Sequence, residues 1–419
     1  MKANTIALTL TLLSASALYL DAAPTPGKPT YIIQELDNSA GTFTTYGGLT
    51  KNGDVLYYGN YDTVRQYDLA GATNSVYATT VGNADTKGLA KIGSTLYMAL
   101  DTSYNAPYPS SLGTVDPATG FTATLVSGKE QGETTYSIYD ATLNNGEYYF
   151  VAAPGTINTN SQSGATGTRI YRYNNADPSA PVEIANIGGS SGGIAFDTAG
   201  NLYYASQNWG QGILRFNAVN VARGGLTAAD GATVADVTAG YLGFLPDGHL
   251  VATTGWGVSL DVFDINTGAK RRTIATVPSD WSESIGKFVV DGTTLYVAHT
   301  DWNAYTGNLY AINLIEPAGY ASWVTDNFPV TYPGDDVDSD GDGSANYAEF
   351  VAGTSPTDKL DVFTINIEMT DDLPTLSWTP DKVAGRSYTL QGRESLAAGG
   401  WGATNANSRF FRVKVQLSQ

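Results

Sequence analysis

One acidic segment near the C-terminus carries the residues whose types and spacing could do chemistry. Its oxygen-bearing side chains recur at short intervals, and they are Asp338, Asp340, Asp342, Ser344, Asn346 and Glu349. With Asp338 as position 1 of a twelve-residue loop, Gly343 falls at position 6 and Glu349 at position 12. Ca²⁺ requires oxygen ligands at about 2.4 Å, a glycine at the sharp turn and a terminal bidentate carboxylate. A solvated acidic linker would not explain Gly343 and Glu349 at these offsets, so the segment predicts a calcium site in which Ser344 offers its backbone carbonyl.

Two short helices are expected to hold this loop. Residues 317–328 place Tyr320, Trp323 and Val324 at helical spacing, and residues 347–352 can form a second helix that ends at Gly353. The sequence contains one such loop, whereas calcium sensors and dockerins use paired loops. Together with residues 353–358, the segment resembles the thrombospondin type 3-like and EF-hand-like calcium spacers near the C-termini of secreted bacterial proteins. That resemblance implies a structural ion that stiffens the joint after the preceding domain.

The rest of the chain is dominated by a repeated strand pattern. A glycine-containing turn leads into a tyrosine-rich apolar strand six times, with anchors at Leu56, Leu96, Tyr148, Leu202, Leu250 and Leu295, which lie 40, 52, 54, 48 and 45 residues apart. These are blade-sized periods, and each repeat contains further short strands, so we predict an all-β fold, a six-bladed β-propeller, with seven blades as the alternative. The sixth repeat lacks a fourth strand, and residues 31–36 form a strand before the first repeat. We therefore expect the N-terminal strand to complete the last blade and close the ring.

The repeat phrase resembles the six-bladed propellers of the NHL-repeat and gluconolactonase-like families, most closely at residues 192–204. The resemblance covers most of the first 315 residues. Lactonase-type members of these families hold a catalytic divalent metal in the central channel through an acidic residue and amides, and the resemblance implies a comparable site here. The sequence singles out no matching set of acidic residues.

Aromatic residues recur in the loops that leave the second strand in five of the six repeats. They are Tyr61, Tyr104, Trp209, Trp256 and Trp302. All of these loops should emerge at one end of the ring, where flat aromatic surfaces beside amides would suit stacking on sugars or on an extended peptide. The alternative is that each tryptophan packs between blades.

A candidate catalytic group lies at the same end of the ring. His299 could act as a general base, because imidazole titrates near neutral pH. Glu283, Asp85 and Glu133 precede inner strands and could join it. In an acidic protein the simpler interpretation is that these carboxylates are solvated loop residues.

Composition excludes several classes of function. The 419 residues include 22 Lys and Arg against 40 Asp and Glu, a net charge of −18, so nucleic acids and anionic membranes are not expected partners. The absence of cysteine excludes disulfides, thiolate zinc sites and a cysteine nucleophile.

Residues 1–23 have the short basic start, apolar stretch and small-residue cleavage site of a signal peptide, so we expect an exported protein, secreted or held at the cell surface.

The predicted organisation is a signal peptide (1–23), a propeller (30–314), a calcium-binding linker (315–358) and a small C-terminal β module (360–419). The module resembles one common in secreted proteins of Verrucomicrobia-like bacteria. We expect a monomeric, calcium-binding protein, most simply a non-enzymatic binding module for extracellular polysaccharide or protein. The alternatives are a propeller hydrolase or lyase of lactonase type, and a cell-surface structural protein.

Overall fold

The fold described here is that of a computed structural model. The structure describes residues 24–28, 31–37, 48–60, 63–79, 85–101, 110–125, 136–154, 168–174, 176–177, 181–188, 192–206, 212–304, 306–370, 373–380, 386–393, 402–403 and 410–417. These residues form two compact units, one that ends at Ile315 and one that begins at Glu316. No helix in the described part of the chain is long and apolar enough to cross a bilayer.

The first unit is a six-bladed β-propeller, which confirms the fold predicted from the repeats. Each blade contains four antiparallel strands, and the blades are numbered here in chain order, with strands given from the inner to the outer edge. Blade 1 contains Leu49–Asn52, Val55–Asn60, Thr63–Asp68 and Thr73–Thr79; blade 2 contains Asp85–Ile92, Thr95–Asp101, Ser110–Asp116 and Gly120–Leu125; blade 3 contains Tyr136–Asn144, Glu147–Pro154, Arg169–Arg172 and Val182–Asn186; blade 4 contains Gly192–Phe196, Leu202–Ser206, Ile213–Phe216 and Ala232–Ala235; blade 5 contains Ala239–Phe244, Leu250–Thr254, Ser259–Phe263 and Lys270–Thr276; blade 6 contains Glu283–Asp291, Thr294–Asp301, Thr306–Asn313 and Ile32–Asp37.

The N-terminal strand closes the ring, as the strand count predicts. Ile32–Asp37 pairs antiparallel with Thr306–Asn313 and forms the outer edge of blade 6. The inner strands of consecutive blades contact one another, and the inner strand of blade 6 contacts that of blade 1. Asp37 accepts hydrogen bonds from the Tyr58 hydroxyl and from Nδ2 of Asn74 in blade 1, the latter at 2.8 Å. The last blade is thereby joined to the first by the contact of their inner strands and by side-chain hydrogen bonds.

Two blades have a fifth strand that the repeat pattern does not predict. Thr25–Pro26 pairs with the outer strand of blade 5, so the chain reaches the ring before residue 30. Leu226–Thr227 pairs in parallel with the outer strand of blade 3. It follows helix α1 (Ala218–Arg223) and precedes a short 3₁₀ turn, Ala228–Asp230. Strands of two residues are too short to show an alternating pattern in the sequence.

The repeat anchors lie in the core between blades. Tyr148 is 1% exposed, and the five leucines have no exposed surface: Leu56, Leu96, Leu202, Leu250 and Leu295. Fully burying one such side chain stabilises the folded state by about 1.5–3 kcal/mol. The sequence repeats this strand because each blade needs the same apolar contact with its neighbours.

The second unit combines the acidic loop with the C-terminal strands. Its helices are α2 (Tyr320–Asn327) and α3 (Asn346–Ala352), its hairpin is Thr364–Thr370 with Leu373–Thr379, and its remaining sheet contains Arg386–Arg393, Gly402–Ala403 and Phe410–Leu417. Tyr320, Phe350 and Val413 belong to one apolar core. The helices that flank the loop and the C-terminal β-strands are therefore packed together, and both helices begin or end within three residues of the predicted bounds.

Candidate functional sites

The acidic loop gathers three carboxylates at one place. One oxygen from each of Asp338, Asp340 and Asp342 lies within 4.8 Å of the others. The loop is shaped by hydrogen bonds between its own side chains and backbone: Asp338 accepts from the amides of Gly341 at 2.8 Å and Gly343 at 2.9 Å. Gly343 has a φ of 99°, a conformation that residues with a Cβ rarely adopt. The residue at the predicted turn position is thus the one that the turn requires.

Helix α3 adds a buried carboxylate to this cluster. Glu349 is 0% exposed, and neither of its side-chain oxygens has a hydrogen-bond donor in the described part of the chain. Burial and, to a smaller extent, the charges of the neighbouring aspartates together raise the pKa of Glu349 to about 8. A buried carboxylate without a donor is costly, so this arrangement points to a group that the protein chain itself does not supply.

Asn346 anchors the end of the loop. Its side chain is fully buried, and Nδ2 donates to the carbonyl oxygen of Gly334 at 2.6 Å. Its Oδ1 has no donor among the described residues. Ser344 donates its backbone N–H to Asp342 at 2.6 Å. The Oδ1 atom of Asn346 therefore stays available as a ligand atom, and the roles expected for Ser344 and Asn346 at positions 7 and 9 stay predictions.

Two of the five predicted aromatic residues can be placed. Trp256 lies in the turn after the second strand of blade 5, and Trp302 directly follows the second strand of blade 6. Both are partly exposed. The Trp302 indole N–H donates to Oγ of Ser284 at 3.0 Å, which holds the ring against the inner strand of the same blade. Tyr61, Tyr104 and Trp209 lie outside the described residues, so a ring of aromatic surfaces around all blades stays a prediction.

A third tryptophan, Trp281, joins these two and was missed by the sequence reasoning. It lies in the connection from blade 5 to the inner strand of blade 6, and it is 66% exposed. Its ring centroid lies 6.4 Å from that of Trp256. The repeat pattern points only to the loops after second strands, but the connections between consecutive blades emerge at the same end of the ring, because the strands alternate in direction. The segment Ser279–Glu283 is such a connection, so the order of the strands could have placed Trp281 at this end of the ring.

The same end of blade 6 holds a buried acid–base pair. His299 Nε2 lies 2.9 Å from Oε2 of Glu283, and the two side chains are 0% and 7% exposed. Burial raises the pKa of Glu283 to about 7, assisted by Asp301 and Asp280, and burial lowers the pKa of His299 to about 4. The pair is therefore a neutral imidazole hydrogen-bonded to a carboxyl group that titrates near neutral pH. Glu133 and the side chain of Asp85 lie outside the described residues.

Comparison with known proteins gives similarity in fold alone. No protein-family model and no curated protein sequence matches the chain. Among solved structures, a calcium-binding protein, regucalcin, from Agrobacterium tumefaciens is similar with a TM-score of 0.50 at 15% identity, over 67% of this chain and 93% of that one. A gluconolactonase from Xanthomonas campestris gives a TM-score of 0.49 at 15% identity, over 71% of this chain and 99% of that one. Virginiamycin B lyase from Staphylococcus aureus gives 0.45 at 13% identity, over 68% and 100%.

The propeller fold is the one predicted from the NHL-like and gluconolactonase-like repeat phrase. In its central channel, however, the carboxylate of Asp140 is paired with the ammonium group of Lys287. Asp140 of blade 3 and Lys287 of blade 6 lie on opposite sides of the ring, and Lys287 Nζ contacts the two carboxylate oxygens at 2.7 and 2.8 Å. One of these oxygens also accepts the backbone N–H of Ile194 at 3.0 Å. Because a protein cation already neutralises Asp140, this part of the channel does not fit the divalent metal that the lactonase resemblance implies.

Proposed function

We propose that this protein is an exported, calcium-binding propeller protein that acts as a binding module for an extracellular macromolecule. The observation that carries the calcium assignment is the fully buried Glu349 carboxylate, whose oxygens have no donor among the described residues. It is held among three aspartates at the offsets that a twelve-residue calcium loop requires.

The donor set suits Ca²⁺ because it consists of oxygen atoms alone. Asp338, Asp340 and Asp342 would each give a side-chain oxygen, and Glu349 would give both of its own. The other ligands would be the Ser344 carbonyl and the Asn346 side chain, directly or through water. When bound, the calcium ion supplies the positive charge that offsets the negative charges of these carboxylates.

The ion would be structural. Glu349 lies on helix α3, and this helix also places Tyr347, Phe350 and Val351 in the apolar core of the second unit. Calcium that neutralises Glu349 therefore stabilises the helix around which this core is built. Without calcium, carboxylate repulsion should loosen the segment from Thr331 to Thr357 and leave the propeller folded.

Elemental analysis and calcium titration of Glu349→Gln test this assignment. The unmodified protein should retain one calcium ion per chain, and the variant should bind at least about 100-fold more weakly because it loses a bidentate ligand. Asp326→Asn is a matched control, since it removes one exposed acidic charge from helix α2 of the same unit. Limited proteolysis of residues 331–357 should be slowed by calcium in the unmodified protein, and equal rates with and without calcium would refute the assignment.

The binding role is supported by the tryptophans at the end of blades 5 and 6. A large indole that is 66% exposed beside two further tryptophans is typical of an interaction surface rather than of a core. Secretion is supported by the sequence of residues 1–23. Export is tested by recovery of the protein from the medium or cell surface, with its N-terminus sequenced to locate cleavage.

A second candidate function is a hydrolase or lyase, favoured by the Glu283–His299 pair. A carboxyl group with a pKa of about 7 can act as a general acid or base near neutral pH. If the protein is such an enzyme, Glu283→Gln should abolish turnover of a lactone or ester panel, whereas Asp230→Asn, at an exposed position in blade 4, should not. Equal rates in both variants would remove this candidate.

A further inference from the structure

Three tryptophans gather at the end of blades 5 and 6 and are here called the tryptophan patch (Trp256, Trp281 and Trp302): the first two rings are in contact, and the Trp302 backbone N–H donates to the carbonyl of Ser282, next to Trp281, at 2.7 Å. Three different connections bring them together: the second hairpin of blade 5, the crossing from blade 5 to blade 6, and the second hairpin of blade 6. The hairpin of blade 5 that carries Trp256 is held against blade 6, because the Gly257 carbonyl accepts the N–H of Ile285 at 2.7 Å. A Cβ at Gly257 would lie 2.7 Å from the Ile285 carbonyl oxygen, so the hairpin sits as close as glycine allows.

The backbone of the patch is held in an unusual conformation. Trp256 and Trp281 have φ angles of 64° and 67°, in the left-handed region that bulky residues rarely adopt. Glycine would adopt it without strain, as Gly255 and Gly257 do on either side of Trp256. Strained backbone of this kind concentrates at binding and catalytic sites. Here the two strained residues are the two whose rings meet at 6.4 Å, so the strain serves to present the indoles.

The patch carries negative charge. Asp280 is exposed and adjacent to Trp281, and hydrogen bonds from the Ser282 hydroxyl and amide lower its pKa, so it is ionised at neutral pH. Asp301 is adjacent to Trp302, and both aspartates act electrostatically on Glu283. In the inner strand of blade 6, which begins at Glu283, Lys287 is 7% exposed and is bound to Asp140. The indole faces are themselves electron-rich, so aromatic and carboxylate groups together favour a cation.

From these observations we infer that the tryptophan patch binds an arginine- or lysine-containing segment of a partner protein. A guanidinium group stacks on the exposed Trp281 ring, beside Trp256, while Asp280 and Asp301 supply the opposite charge. Charge complementarity favours the basic segment among the occupants considered above, because a sugar hydroxyl gains only a hydrogen bond from the carboxylates, whereas a guanidinium group gains hydrogen bonds and the neutralisation of its charge. The net charge of −18 would also speed the encounter with a basic partner. This inference rests on the proposed binding role of the propeller and specifies its partner.

Isothermal titration with an oligo-arginine peptide tests the inference, with the isosteric but uncharged oligo-citrulline as the matched probe. Oligo-arginine should bind, and binding should weaken as salt rises, whereas oligo-citrulline should bind at least tenfold more weakly. Trp281→Asn should weaken oligo-arginine binding at least tenfold, and asparagine tolerates the positive φ, so the propeller should stay folded. Asp280→Asn should weaken binding several-fold.

Asp230→Asn is the matched control, because Asp230 is exposed and caps a turn with its side chain as Asp280 does, but at the opposite end of the ring. Equal weakening by Asp230→Asn and Asp280→Asn, or unchanged binding in Trp281→Asn, would show general attraction to an acidic protein and overturn the inference. Binding of a neutral oligosaccharide that Trp281→Asn abolishes and salt does not affect would also overturn it, while leaving the proposed binding role intact. If oligo-arginine does not bind, the inference is overturned; the proposed binding role of the patch falls as well only if the neutral oligosaccharide also fails to bind, and the calcium assignment is untouched in either case.

Discussion

At the scale of single residues, Glu283 and His299 form a buried pair that holds one proton near neutral pH. Burial raises the pKa of Glu283 from 4.5 to about 7 and lowers that of His299 from 6.5 to about 4. Between pH 4.5 and 6.5, the folded pair carries one proton on the Glu283 carboxyl group, whereas the unfolded chain carries one proton on the His299 imidazole. Both states then bind the same number of protons, so this pair contributes almost no pH dependence to the free energy of unfolding between pH 4.5 and 6.5.

Glu283→Gln should expose the His299 contribution. The variant keeps a buried histidine with a lowered pKa, so its unfolded state binds more protons, and stability should fall as pH drops from 6.5 toward 4. The slope should reach up to about 1.4 kcal/mol per pH unit. Urea unfolding of both proteins across this range measures it. The double variant with His299→Gln serves as the control and should return to the slope of the unmodified protein; a double variant that keeps the slope of Glu283→Gln would contradict the account.

At the scale of elements, helix α3 connects the acidic loop to the C-terminal strands. Arg386, at the start of Arg386–Arg393, donates Nε to the carbonyl of Val351 at 3.2 Å and Nη2 to that of Phe350. Its guanidinium also lies 5.0 Å from the centroid of the Phe350 ring. A positive charge on the last carbonyls of a helix stabilises its C-terminal end. The helix that carries Glu349 is thus held at its other end by a strand of the β module.

Arg386→Gln should loosen helix α3 and weaken calcium binding together. Losing charge-assisted hydrogen bonds to two carbonyls should cost about 1.5–3 kcal/mol of the unit's stability. Amide hydrogen exchange across residues 346–352 should rise, and calcium affinity should fall, with propeller peptides unchanged. Arg412→Gln is the control, because it removes the same charge from the same sheet, where Arg412 bonds Gln391 at 2.8 Å. Equal loss of calcium affinity in both variants would contradict a specific link through Arg386.

At the scale of the whole propeller, the Asp140–Lys287 pair ties opposite blades across the channel. The pair is buried, and the Lys287 ammonium also lies 5.4 Å from the centroid of the Tyr241 ring. The Tyr241 ring in turn stacks on that of Tyr139 at 5.2 Å. Side chains from blades 3, 5 and 6 therefore fill this level of the channel. The ring is closed at its rim by the N-terminal strand and cross-linked at its centre by this pair.

Lys287→Met should destabilise the propeller by about 3–5 kcal/mol, because it leaves Asp140 buried without its counter-charge. Adding Asp140→Asn should recover much of this loss, since the amide is neutral and its oxygen can still accept the N–H of Ile194. Denaturant unfolding of both variants measures the effect. A loss of under about 1 kcal/mol for Lys287→Met, as for an exposed pair, would show that the channel is hydrated at this level.

The sequence by itself determined those features whose parts are close together in the chain. The blade count followed from a strand pattern that every blade repeats, and the closing strand from a missing fourth strand in the last repeat. The candidate ligands from Asp338 to Glu349 lie in one short loop, so their spacing alone could predict a calcium site. Tertiary structure alone decided which distant residues meet, as in Asp140 with Lys287, 147 residues apart, Glu283 with His299, and Trp256 with Trp281. A strand pattern records which face of each strand is buried, but the register and stacking of the blades decide which side chains face one another.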